Sequence, residues 1–95
     1  MERRKSMTTQ NYWAFPKEIP LEEVPRYSSI FEKITEPKTI QFDLTKTEWI
    51  HSSFIGFLIH AKHLTATKGG KLYIIPSPAV QHILDLMNLR EYLLH

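Results

Sequence analysis

The sequence predicts an α/β fold, a mixed β-sheet with parallel central strands and helices packed against it. Strand-like and helix-like periodicities alternate along the chain as strand–helix–strand–helix–strand–helix. The middle strand, the longest helical segment and the following strand form a crossover unit, which requires those two strands to be parallel. A length of 95 residues, 42% of them hydrophobic, without internal repeats, is enough for one thin-cored domain and for no second one.

Each element has its own signal. Residues 11–15, Asn-Tyr-Trp-Ala-Phe, are aromatic and closed by Pro16, which predicts an edge strand followed by a connector over 17–20. Val24, Tyr27, Ile30, Phe31 and Ile34 recur at helical spacing and predict a helix over 25–34, with Pro25 in its first turn. Ile40, Phe42 and Leu44 alternate with polar residues, so 39–44 is a strand with one buried face. Residues 45–51 read as a loop that carries Trp49 and Ile50 inward. Over 52–68, helical projection gathers Gly56, His60, His63 and Thr67 into a narrow polar wedge. Phe54, Phe57, Leu58, Ala61 and Leu64 lie opposite, and Gly69-Gly70 ends the helix. Residues 71–75 are apolar on both faces at their centre, which predicts a strand covered on both sides. Ser77 suits an N-cap and Pro78 the first helical position of a helix over 78–87, with Asn88 at its end. A short packed segment closes the chain.

Composition narrows function by exclusion. Twelve Lys and Arg face ten Asp and Glu, a formal charge of +2. Arg3, Arg4, Lys5 and Glu2 all fall in residues 1–10; without them the charges balance. A neutral body lacks the basic stripe that nucleic acid demands. We therefore expect a disordered basic tail over 1–10, a domain over 11–95 and no nucleic-acid partner. With no cysteine there is no disulfide, thiolate nucleophile or Cys-ligated metal, a usage that suits the cytoplasm. No apolar run resembles a secretory signal or a membrane span, so a soluble protein without direct membrane insertion is expected.

Ligands of an open parallel sheet gather where strands hand over to helix N-termini. Here those junctions are 45–53 and 76–78, and the first holds His51-Ser52-Ser53. A serine at that place either caps the helix or presents a hydroxyl for phosphorylation, since helix N–H groups and the macrodipole favour a phosphate. A hydrolase is disfavoured: no Gly-x-Ser-x-Gly elbow is present, Asp43 is the only acid on the adjoining strand, and chain neighbours need not form a nucleophile–base pair. His60 and His63 share the solvent wedge without a third ligand, so no metal and no cofactor are expected.

The run Thr39-Ile40-Gln41-Phe42-Asp43-Leu44, followed by Trp49-Ile50-His51-Ser52-Ser53-Phe54-Ile55-Gly56, resembles the signature of STAS domains, the anti-sigma-factor antagonists. That signature is a hydrophobic strand ending in Asp-Leu, a short loop, then Asp-Ser-Ser/Thr-Gly-Leu-Gly opening a helix. Gly69-Gly70-Lys71-Leu72-Tyr73-Ile74-Ile75, Pro78-Ala79-Val80 and Leu86-Met87-Asn88-Leu89 are similar to the family's next strand and final helix. His51 stands where the family has Asp, and Phe54 where it has Gly.

The resemblance implies a STAS-like single domain that is not an enzyme. It implies a bacterial, cytoplasmic regulator of transcription: an anti-sigma factor antagonist switched by phosphorylation on Ser52, with Ser53 as second choice. His51, Ser52, Ser53, Phe54 and Gly56 would meet an anti-sigma factor that is also a serine kinase of the histidine-kinase-like ATPase type. The alternative is a non-phosphorylated interaction module serving as a small subunit of a transporter or larger signalling assembly. A monomer or weak dimer is expected in either case.

Overall fold

The computed structural model describes residues 11–94, so the expectation of a tail over 1–10 falls outside the described residues. In chain order the elements are β1 (Tyr12–Ala14), β2 (Glu18–Ile19), α1 (Val24–Tyr27), β3 (Thr39–Leu44), β4 (Trp49–Ile50), α2 (Ser52–Thr67), β5 (Lys71–Pro76), α3 (Pro78–Leu86) and α4 (Arg90–Leu94). A 3-10 turn, Leu21–Glu23, precedes α1, and a 3-10 stretch, Ser28–Lys33, continues it.

β3 is the centre of a three-stranded sheet ordered β1-β3-β5, and β3 pairs in parallel with both neighbours. The crossover through α2 is therefore as expected. The mixed character is corrected: every strand pairing among the described residues is parallel. No two paired strands are joined by a tight turn, so each connection must run back along the sheet. The segments expected as a connector and a loop pair with each other as β2 and β4. His51 N–H donates to the Ile19 carbonyl at 2.8 Å, and Ile19 and Ile50 are buried. Two residues per strand are too few for a visible alternation. Because Ile50 points inward, its neighbour Trp49 points out and is exposed, contrary to the inward placement expected.

The helix expected over 25–34 is α-helical only to Tyr27. Ser28 Oγ donates to the Pro25 carbonyl at 2.6 Å and Ser29 Oγ to that of Arg26 at 3.2 Å, local bonds that compete with regular α-helical turns. Its apolar face survives the change of pitch, with Ile30 and Ile34 buried. The end of α2 is as expected: Gly69 has φ 84°, and Gly70 N–H reaches the Thr65 carbonyl at 2.9 Å. Ser77 caps α3 by accepting from Val80 N–H at 3.1 Å.

Register sorts the sheet's two faces. Trp13, Phe42 and Ile74 are partners on the inner face, where Phe15, Phe54 and Phe57 join Phe42 in one aromatic cluster with centroid spacings of 5.2–5.8 Å among the contacting rings Phe15–Phe42, Phe15–Phe54, Phe42–Phe57 and Phe54–Phe57. Tyr12, Gln41 and Tyr73 share the other face. The expectation that β5 is covered on both sides fails there: Tyr73 is 50% and Ile75 36% exposed. β5 ends the sheet, so the apolar residues at its centre meet the helical layer on one face and solvent on the other.

Candidate functional site

The carboxyl end of β3 leads through Thr45 and β4 into α2. Asp43, the last outward-facing acid of β3, accepts from Thr45 N–H at 2.9 Å, from Thr45 Oγ1 at 2.6 Å and from the Tyr12 hydroxyl. These bonds, the Thr45 hydroxyl first, hold the Asp43 carboxyl below the usual carboxylate range. The same bond to Asp43 leads the causes that raise the Tyr12 phenol above its ordinary value. Thr47, polar and fully buried, donates through Oγ1 to the Pro16 carbonyl at 2.8 Å. Its own carbonyl accepts from Ser77 Oγ at 2.5 Å, which ties the two strand-to-helix junctions together. Nothing in a run of Thr, Lys and Glu signals that one threonine is a strut; its distance from Ser77 in the chain conceals the contact.

His51 is the N-cap of α2, with extended backbone at φ −73°, ψ 149°. Its Nδ1 accepts from Ser53 N–H at 3.0 Å, a role that leaves the ring's proton on Nε2. The capping expected of a serine is thus done by the imidazole. Ser53 Oγ lies 2.9 Å from the same Nδ1 and is half-buried. The two neighbours therefore do approach as a hydroxyl–imidazole pair. The nitrogen that would act as base is the one engaged by the backbone cap, and no carboxylate orients the ring among the described residues.

Ser52 occupies the first helical position, exposed, and its hydroxyl has no hydrogen-bond partner among the described residues. Gly56, one turn on, is also exposed, and a Cβ built there meets nothing within 4 Å. His60 and His63 continue this surface; His60 stacks on Phe31 at a centroid spacing of 4.4 Å. Phe54 does not belong to it. Its side chain is 0% exposed, 5.4 Å from Phe15 and 6.1 Å from Tyr27 between ring centroids. The placing of Phe54 among partner-contacting residues is corrected: one residue round the helix from Ser53 is the core face.

Among the described residues no group of three or more His, Cys, Asp or Glu is arranged to hold a metal ion, and no helix is long and apolar enough to cross a membrane. The chain matches no family model, no curated protein and no solved structure. What the fold defines is a parallel α/β domain whose longest helix starts with a free hydroxyl at the sheet's carboxyl end.

Proposed function

We propose that this chain is a STAS-like regulatory module, an anti-sigma factor antagonist that binds its partner through the start of α2 and is switched by phosphorylation of Ser52. The reading makes it a bacterial cytoplasmic protein that acts by binding rather than by catalysis. The observation that carries it is Ser52 itself: exposed, unbonded, and relieved of the capping duty by His51. A phosphate there would gain the favourable end of the α2 macrodipole while adding about −1.5 to −2 charges to a contact that must be desolvated. Gly56 supports the same surface, since an exposed glycine inside a helix weakens the helix and only a close-approaching partner benefits from it.

The test uses a serine kinase of the histidine-kinase-like ATPase type with ATP. Intact-mass measurement is expected to show one phosphoryl group, on Ser52 and absent in Ser52→Ala. His51→Asp is expected to accelerate the transfer while keeping the cap. The open sheet face carrying Tyr12, Tyr73 and Ile75 favours the second reading, an unphosphorylated subunit of a transporter or signalling assembly. No phosphoryl group on wild type or His51→Asp, together with partner binding indifferent to Ser52→Asp, would leave that second reading in place.

A further inference from the structure

β3 pairs in parallel with β1 and with β5, and a parallel sheet ordinarily has both faces covered. Here the described residues cover only one of them. On the inner face α2 sets Phe57 against Phe42 at a centroid spacing of 5.8 Å. On the outer face Tyr12, Gln41 and Tyr73 form an exposed row across the middle of the three strands. Lys71 and Thr39 lie one row nearer the amino ends of the strands, Asp43 and Ile75 one row nearer the carboxyl ends. Lys71 is exposed and has no ion-pair partner among the described residues. Asp43 accepts only from neutral groups, those of Thr45 and Tyr12, and Lys46 makes no ion pair with it. The Gln41 side-chain amide has no hydrogen-bond partner among the described residues.

We propose that this face binds a second copy of the chain, sheet against sheet, about a two-fold axis running across the strands through the Tyr12–Gln41–Tyr73 row. Charge chooses both the occupant and the axis. A two-fold across the strands lays each strand over its counterpart in the opposite direction. Lys71 of one copy then lies over Ile75 of the other, one strand spacing from its Asp43. A two-fold along the strands would instead stack Asp43 on Asp43, and like charges set against each other are costly. The middle row matches itself: each Tyr73 ring meets its own copy, and the Gln41 amides, donors and acceptors at once, pair with one another. A partner surface of a single sign would leave either Lys71 or Asp43 unmatched. The face is three strands wide at about 4.8 Å spacing and about 15 Å long, less than the ~800 Å² that each member of a stable complex buries. The dimer is therefore weak and forms at high concentration. It lies on the side of the sheet away from α2, so it and the Ser52 switch stand or fall separately.

Sedimentation equilibrium of the full chain over about 0.01–1 mM is expected to show the mass rising from one chain toward two. Amide NMR shifts are expected to follow concentration at Gln41, Lys71 and Tyr73, and not at His63 on α2. Gln41→Glu and Gln41→Lys each set like charges across the axis and are expected to weaken association about tenfold or more. Mixed together, the two variants are expected to associate again, since opposite charges then meet on the axis. Lys71→Glu, which places a second carboxylate beside Asp43, is expected to weaken association as well. Both positions are exposed, so thermal melting of these variants should stay near wild type. A single-chain mass at every concentration would overturn the second copy and leave the face to a different protein. Association that survives Gln41→Glu, or a mixture no tighter than either variant alone, would put the contact elsewhere on the surface and overturn the proposal.

Discussion

An imidazole nitrogen closes the first turn of α2, and substitution at that one atom separates capping from chemistry. His51→Ala is expected to cost about 1 kcal/mol in chemical denaturation, because Ser53 N–H loses its acceptor at a helix terminus. His51→Asp keeps an acceptor and adds negative charge where the macrodipole favours it, so its midpoint is expected at or above wild type. Gly56→Ala meets no neighbour and is expected to stabilise by about 0.5–1 kcal/mol. If the helix surface is the docking face, the same variant binds its partner more weakly, and the two measurements move in opposite directions. The Tyr12–Asp43 bond sets a pH dependence with two limbs. Asp43 is depressed in the folded state, so its contribution is present above the unfolded carboxyl value and is lost as pH falls through the folded one. Tyr12 is raised, so its contribution is present below the unfolded phenol value and is lost as pH rises through the folded one. Tyr12→Phe is expected to shrink both limbs, the alkaline one persisting in part because burial also raises the Tyr27 phenol, read from denaturant midpoints against pH.

At the scale of elements, α2 is the longest helix, and its buried face carries the clearest test of packing. Phe54→Ala is expected to destabilise by about 3–5 kcal/mol, since the ring contacts Phe15, Tyr27 and Phe57 and leaves a cavity on removal. A partner-contacting residue would lose binding with little change in stability. Long periodic segments such as α2 and the alternation in β3 were legible because many residues repeat one spacing. β2 and β4 were not, since two residues give no period and their pairing depends on bonds between Lys17–Ile19 and Glu48–His51, far apart in the chain. The helix after Val24 kept its apolar stripe while its pitch yielded to the hydroxyls of Ser28 and Ser29. The site was half legible: hydroxyls at a strand-to-helix junction are visible in order, but which residue caps and which stays free is decided by backbone direction at His51. Gly70 shows the same dependence on three dimensions. A Cβ there would sit 2.2 Å from the Lys38 carbonyl oxygen, so this glycine is required where β5 starts beside β3.

For the whole molecule, stability and association draw on the same helix terminus with opposite sign. Among the described residues the helical layer buries one sheet face and leaves Tyr73 and Ile75 exposed on the other. A negative charge at position 52 adds to folding through the α2 macrodipole. Ser52→Asp is therefore expected to raise global stability by about 0.3–1 kcal/mol, a rise of a few degrees in Tm for a chain of this size. In the complex the same carboxylate must be stripped of water against a partner surface, and an unpaired buried charge outweighs that gain. Calorimetry on the free chain and titration against an anti-sigma partner should then diverge: higher Tm, weaker binding. Ser52→Asn, which caps and bonds comparably without charge, is the control and should leave binding near wild type. If Ser52→Asp and Ser52→Asn lower affinity equally, shape rather than charge governs the contact, and phosphorylation would have no electrostatic lever at this surface.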